Sequence, residues 1–218
     1  MSLFITGTGY GRRKDSYCRT AFASLARIRC PLCRNESDCC GDRRHAEALL
    51  AAGSDCVTID QVNPVWLKTP AAPIVGTLME KVTIDIEHIL AAFHALQDSV
   101  EHVIVEGTSG WLVPIRSDYF VSDLAAAMKL PVLVVAQNRL GCLNHAALTV
   151  QSVARYQLRC VGLVLNSTET TNDIAALTNA DILKRVLDVP VLAGLGENLT
   201  ELPVDWRLML ESTSEEPC

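Results

Sequence analysis

A carboxylate and a run of small residues follow a short apolar segment in the middle of the chain. Residues 103–105 are β-branched, Glu106 comes next, and four small residues follow: Gly107, Thr108, Ser109 and Gly110. This pattern predicts a buried strand that carries an acid at its carboxyl end, followed by a turn where the backbone approaches a ligand. Ligands of open α/β sheets bind at such strand ends, although the pattern also fits a plain tight turn.

A second glycine-rich stretch follows the first predicted strand. Residues 2–6 are mostly apolar, Gly7, Thr8 and Gly9 come next, and Lys14 stands five residues further on. A phosphate-binding loop has the same order of parts: a strand, glycines, a lysine and then the start of a helix, so that backbone N–H groups surround the phosphates. The stretch therefore predicts a phosphate site near Lys14.

Predicted strands and helices alternate in the second half of the chain, which indicates a parallel sheet. Strands are predicted over residues 131–136, 160–165 and 189–193, and helices over residues 144–156 and 173–187. An amphipathic helix is predicted over residues 85–99 from its 3.6-residue spacing. We predict one α/β domain over residues 1–210, with a mostly parallel sheet flanked by helices on both faces. Residues 211–218 are polar and are expected to form a flexible tail.

Composition and charge narrow the class of protein. The chain has 218 residues, a hydrophobic fraction of 49% and a net charge of −6. The chain lacks the basic surface that nucleic acid requires, and no apolar run approaches the roughly 18 residues of a membrane span. Met1 leads directly into a predicted strand rather than a signal peptide, so we expect a cytoplasmic protein with no nucleic-acid or membrane partner.

Five of the nine cysteines lie in the first forty residues. Cys30, Cys33, Cys39 and Cys40 can be interpreted as four zinc ligands. Adjacent cysteines rarely both reach one tetrahedral site, which weighs against zinc. A structural disulfide is disfavoured in a reducing compartment.

The sequence around Glu106 resembles that of one enzyme family. Glu-Gly-Thr-Ser-Gly-Trp-Leu-Val-Pro at residues 106–114 is similar to the Glu-Gly-Ala-Gly-Gly-Trp-(hydrophobic)-x-Pro segment of dethiobiotin synthetases, the ATP-dependent enzymes of biotin biosynthesis. The similarity continues through Leu-Gly-Cys-Leu-Asn-His at residues 140–145 and Gly-Leu-Val-Leu-Asn at residues 162–166. It covers most of residues 46–200, and it implies a P-loop NTPase-like fold and a homodimer.

The resemblance implies a role for each residue that matches the family's motifs. Glu106 would bind Mg²⁺, a hard cation that usually takes one or two carboxylates when it bridges phosphates. Asn166 corresponds to the asparagine that reads the adenine edge, with Ser167 beside it. Gly110 and Trp111 would contact the substrate. Further contacts to ATP would come from Gly7, Thr8, Gly9, Lys14, Gly107, Thr108, Ser109, Gly196, Glu197 and Asn198.

The implied reaction is a carboxylation followed by ring closure. CO₂ forms a carbamate with 7,8-diaminononanoate, ATP phosphorylates the carbamate, and the neighbouring amine closes the ureido ring of dethiobiotin with loss of phosphate. Mg²⁺ and lysines, with Lys14 as the catalytic residue, would neutralise charge on the transferred phosphoryl group.

The first forty-five residues depart from the family's pattern. Arg13 replaces the glycine that precedes the lysine of the family's loop, and Asp15 replaces its Mg²⁺-binding hydroxyl. A side chain at the glycine obstructs the backbone, and a carboxylate beside the phosphates repels them. The family's substrate-binding lysine has no counterpart before Arg44. An impaired or inactive dimeric relative, or another P-loop synthetase or ATPase, therefore stays open as an alternative.

A shift of reading frame would account for these departures together. When the codons of residues 10–15 are read one nucleotide later, they permit Thr, Asp, Val, Gly, Lys and Thr, which is the family's loop. The same shift permits lysine in place of Glu36. We therefore hypothesise that residues 10–44 are translated out of frame between two compensating slips. An accurate nucleotide sequence without a slip would contradict this hypothesis.

Overall fold

The computed structural model describes residues 2–9, 32–36, 39–40, 43, 46–47, 50–51, 57–167 and 173–195. The strands in these ranges are β1 Ser2–Gly7, β2 Leu32–Glu36, β3 Cys39–Cys40, β4 Trp66–Leu67, β5 His102–Gly110, β6 Pro114–Arg116, β7 Tyr119–Phe120, β8 Val132–Gln137, β9 Cys160–Asn166 and β10 Val191–Leu195. The helices are α1 Ile59–Val62, α2 Pro73–Glu80, α3 Ile86–Ser99, α4 Val121–Met128, α5 Cys142–Arg155 and α6 Ile174–Val186. None of these described helices combines the length and apolarity of a membrane span.

Six strands form the main sheet in the order β10-β9-β8-β1-β5-β2, and all of their ladders are parallel. The three strands predicted in the second half are present as β8, β9 and β10, with ends that differ by one or two residues. β2 pairs with β5 at the sheet edge, although residues 32–36 lie in the segment that departs from the family. The predicted parallel α/β fold is confirmed.

Both faces of the sheet are buried. Phe4, Val105 and Val134 share one face and belong to a single apolar cluster with residues of α3, α4 and α5. On the opposite face of β1, Leu3 and Ile5 are also buried. Burial on both faces explains why the strands read as continuous apolar runs, since parallel sheets are covered on both sides.

The amphipathic helix predicted over residues 85–99 is present as α3. Asp85 is its N-cap, because Oδ1 accepts hydrogen bonds from the backbone N–H groups of Glu87 and His88 at 3.0 and 3.3 Å. The buried face of this helix consists of Ile86, Ile89, Phe93 and Leu96. This helix therefore follows from its local sequence, with a side-chain cap and an apolar stripe.

The turn predicted over residues 107–110 is wrong, because β5 continues through Gly110. Ile5 pairs with Glu106 and Gly7 pairs with Gly110. Between these two pairs, β5 has three residues where β1 has one, so β5 bulges. Such bulges re-aim a strand and are common beside active sites. Gly107 is needed for space, since a Cβ there would lie 2.7 Å from both Phe4 Cε1 and Val121 Cγ1. The chain turns only after Gly110, where the backbone N–H of Val113 donates to the Gly110 carbonyl oxygen at 3.3 Å.

Candidate functional site

The candidate site lies at the carboxyl ends of four neighbouring parallel strands of the sheet. β1 lies between β5 and β8, and β9 lies beyond β8. Gly7, Gly110 and Asn166 are the last residues of β1, β5 and β9. Neighbouring strands are about 4.8 Å apart, so the ends of β1 and β9 are separated by about 10 Å. The sheet therefore brings the two predicted halves of the nucleotide site to one edge, at a separation that suits the reach from phosphates to base.

The start of the predicted phosphate loop is held between two strands. The backbone N–H of Thr8 donates to the Val135 carbonyl oxygen at 3.1 Å, and Thr8 also forms an antiparallel bridge with Gly110. A Cβ at Gly110 would lie 3.4 Å from the Cα of Gly9. This close backbone approach fixes the direction in which the chain leaves β1. Lys14, Gly196, Glu197 and Asn198 lie outside the described residues, so their predicted roles stay predictions.

Glu106 is a buried carboxylate on β5, the strand beside β1. Its side chain is 4% exposed, and its neighbours in the ladders are Ile5 of β1 and Glu36 of β2. Buried carboxylates are stable in proteins when they are paired, hydrogen-bonded or bound to a metal. A carboxylate oxygen beside the phosphate loop is a donor that Mg²⁺ accepts. The ladder also places a second acidic residue, Glu36, at the position where the frame-shift hypothesis permits lysine.

The three positions after Glu106 continue β5 and differ in how far they are buried. Gly107 is buried against Phe4 and Val121, and Thr108 is half-buried. The backbone of Ser109 lies in β5, and its side chain is outside the described part. Contact of these positions with ATP stays a prediction.

Trp111 anchors the end of β5 in the core. The side chain is 3% exposed, and its Nε1–H donates to Ser152 Oγ of α5 at 3.1 Å. The indole ring makes edge-to-face contacts with Phe4 and Tyr156 at centroid distances of 6.4 and 5.6 Å. Direct contact of Trp111 with substrate stays a prediction, but its only hydrogen-bond donor is already used within the protein.

Asn138 and Asn179 are site residues that the sequence analysis missed. Asn138 follows β8, and its Nδ2 group donates to Ser167 Oγ at 3.1 Å. Asn179 lies on α6, and its Nδ2 group donates to Asn138 Oδ1 at 2.9 Å. The only signal in the sequence is the placement of amides after an apolar strand and inside an apolar helix. Together they support Asn166 and Ser167 at the end of β9.

Two free cysteines near these elements are not suited to nucleophilic chemistry. Burial raises the pKa of the Cys142 thiol, and it raises the pKa of Cys160 to about 11. Because the thiolate is the nucleophile, both residues are unreactive at neutral pH. Tyr119 on β7 has a raised pKa as well, mainly because of burial and secondarily because of the carboxylate of Asp123.

Comparisons with known proteins agree with this geometry. A family model described as an AAA domain matches residues 2–200. An ATP-dependent dethiobiotin synthetase from Akkermansia muciniphila is 40% identical over 167 residues, which are 76% of this chain and 78% of that protein. One from Endomicrobium trichonymphae is 36% identical over 162 residues, which are 72% of this chain and 74% of that protein.

The solved structures show the same fold at lower identity. A chain of the MinC:MinD cell division protein complex from Aquifex aeolicus superimposes with a TM-score of 0.57 at 14% identity, and the match covers 100% of this chain and 97% of that one. At this identity the likeness concerns the fold alone. The sequence relatives are more specific, and they show that this chain belongs to the dethiobiotin synthetases, a family of ligases with a P-loop α/β fold.

Proposed function

We propose that this chain is built for the ATP-dependent carboxylation and ring closure of 7,8-diaminononanoate with CO₂, which yields dethiobiotin. The observation that carries the proposal is the placement of Glu106. Its buried carboxylate lies on the strand next to the phosphate loop, and Asn166 lies on the other side of that loop, two strands away. In this arrangement Mg²⁺ and the phosphates would bind beside β1 and the base beside β9.

The described residues would bind different parts of MgATP and of the substrate. Glu106 would hold Mg²⁺, which would supply positive charge beside the transferred phosphoryl group. The close approach of Gly9 and Gly110 leaves backbone, rather than side chains, next to the phosphates and the diamine. Asn166 offers both a donor and an acceptor to the adenine edge. A cytoplasmic location without nucleic-acid or membrane partners stays a prediction.

A second candidate function is that of an impaired relative that retains the scaffold. Arg13 and Asp15 favour it, because each places an unfavourable side chain where the family's loop binds phosphate and metal. Glu36 also favours it, since an acid stands at the position where the frame-shift hypothesis permits lysine. We therefore expect the chain as printed to bind MgATP poorly.

We also propose that the active form is a homodimer. Exposed leucines lie on α5 and just before it: Leu140 precedes the helix and is 81% exposed, Leu143 is 37% exposed, and Leu148 in the middle of the helix is 58% exposed. Exposed apolar residues in one segment favour burial against a partner, and a second copy of the chain is the commonest partner. The mass of the protein in solution tests this point, and Leu148→Ser is expected to shift the equilibrium toward monomer.

Product formation tests the proposed function. The unmodified chain and a triple variant, Arg13→Gly with Asp15→Thr and Glu36→Lys, would be incubated with 7,8-diaminononanoate, bicarbonate and MgATP, and dethiobiotin would be measured by mass spectrometry. We expect product from the triple variant and little from the unmodified chain. Substantial product from the unmodified chain would remove the impaired alternative. Absence of product from both proteins would contradict the proposed function.

A further inference from the structure

A set of amide hydrogen bonds supports the turn after β9. The backbone N–H of Asn138 donates to the Asn166 carbonyl oxygen at 2.9 Å. Its side-chain Nδ2 group donates to Ser167 Oγ at 3.1 Å and to the Ala176 carbonyl oxygen at 2.9 Å. Asn138 therefore connects the end of β8 with both residues of the turn and with the first helical turn of α6.

Asn179 completes this network from inside the protein. The residue is 2% exposed, and its Nδ2 group donates to Asn138 Oδ1 at 2.9 Å and to the Arg139 carbonyl oxygen at 3.1 Å. Both N–H groups of Asn138 and its Oδ1 atom are thus engaged. If the oxygen and nitrogen of Asn138 were exchanged, two acceptors would face each other at Ala176. The network therefore has one orientation.

The network is more than a means of packing α6 on the sheet. Apolar contacts already do this, since Leu183 of α6 is completely buried in the core cluster. Buried amides add little net stability in comparison with apolar residues, but a fully satisfied network fixes one geometry. The geometry fixed here is that of Asn166 and Ser167, which lie at the carboxyl end of β9, on the side of the sheet where the candidate site lies.

We infer that Asn138 and Asn179 are positioning residues for the base of the nucleotide. They hold Asn166 and Ser167, at the end of β9, in the orientation that binds adenine. This inference rests on the proposed function, because it assigns the base to the end of β9. The residues act through Asn166 and do not themselves touch the nucleotide.

Adenosine is the probe that tests this inference, because it carries the base and lacks the phosphates that Arg13 and Asp15 would disturb. Its dissociation constant would be measured by ligand-observed NMR for the unmodified chain, for Asn138→Asp and for Asn144→Asp. Asn144 is an exposed residue on α5, so its variant controls for the added charge. We expect about tenfold weaker binding for Asn138→Asp at pH 7.5, because a carboxylate repels the Ala176 carbonyl oxygen, and unchanged binding for Asn144→Asp.

The pH dependence separates positioning from loss of structure. Below about pH 4 the new carboxyl group gains a proton and becomes a donor to Ala176, so the adenosine affinity of Asn138→Asp should recover toward that of the unmodified chain. Equal affinity of Asn138→Asp and the unmodified chain at pH 7.5, or a loss that persists at low pH, would overturn the inference. Failure of the unmodified chain to bind adenosine would instead overturn the assignment of a nucleotide site, and the inference with it.

Discussion

The ends of β9 and β1 lie on the same side of one sheet, where we propose that they bind different parts of a nucleotide. Asn166 and Ser167 are backed by hydrogen bonds of Asn138, whose side-chain oxygen accepts from Asn179. At the end of β1, Gly7 pairs with β5 and β8 and Thr8 pairs with β5, but Arg13 and Asp15 follow in the sequence. Under the proposed function, the difference teaches that the scaffold of a phosphate loop and its chemistry are separable. Strand pairing needs only the first residues of the segment, whereas phosphate binding would depend on the positions that follow.

The largest expected effect comes from repairing the loop. A double variant, Arg13→Gly with Asp15→Thr, should bind MgATP about a hundredfold more tightly than the unmodified chain. It removes a side chain that obstructs the backbone and a carboxylate that repels the phosphates. Isothermal titration calorimetry measures the change. Adding Lys14→Ala to the double variant is the control, and it should abolish most of the gain. An unchanged affinity of the double variant would mean that the loop is not the limiting region.

Glu106 should be required once the loop is repaired. In the double variant, Glu106→Gln is expected to weaken MgATP binding about thirtyfold and to remove most of its dependence on Mg²⁺, because an amide is a poorer ligand for a hard cation than a carboxylate. Glu101→Gln is the matched control, since Glu101 is an exposed acid just before the same strand. Retained Mg²⁺ dependence in Glu106→Gln would place the metal elsewhere.

Gly107→Ala tests whether the bulge of β5 depends on space. The added Cβ would lie 2.7 Å from Phe4 Cε1 and Val121 Cγ1, whereas at Gly110 the nearest atom would be at 3.4 Å. We expect Gly107→Ala to lower the free energy of unfolding by about 2 kcal/mol, and Gly110→Ala by clearly less. Urea denaturation measures both. Equal effects of the two variants would show that the closer contacts at Gly107 cost no more free energy than those at Gly110.

The smallest expected effect is a loss of stability at high pH. Burial raises the pKa of Cys160 from 9.0 to about 11, so the unfolded thiol loses its proton first as the pH rises. Its contribution to stability is complete below pH 9 and decreases toward pH 11. Between pH 8 and pH 10 the unmodified chain should lose about 1 kcal/mol more than Cys160→Ala. Urea denaturation measures the free energy of unfolding at both pH values. Equal losses in the two proteins would contradict the raised pKa of Cys160.

The parts of the fold with strong local patterns could be predicted from the sequence. Helix α3 and strands β8 and β9 follow from periodicity or from continuous apolar runs. The bulge at residues 107–109 could not be predicted, because a glycine does not reveal whether it is needed for a turn or for space. Helix α2 was also unpredicted, since it is short and begins at a proline that equally suits a loop.

The sequence offers site candidates where a single residue has a recognisable setting. Glu106 and Asn166 were found because each follows an apolar strand and matches a family motif. Asn138 and Asn179 were missed because they are 41 residues apart, and only the packing of α6 against the segment that follows β8 brings their amides together. Support of this kind depends on tertiary contacts and leaves little trace in local sequence.

The most direct test of the difference between the two regions is the affinity of the unmodified chain for adenosine and for MgATP, measured under the same conditions. If the turn after β9 binds the base and the loop after β1 has lost phosphate binding, the two dissociation constants should agree within about threefold, since the phosphates then add little free energy. MgATP binding a hundredfold tighter than adenosine would contradict the account, because it would show that the loop with Arg13 and Asp15 still binds phosphate.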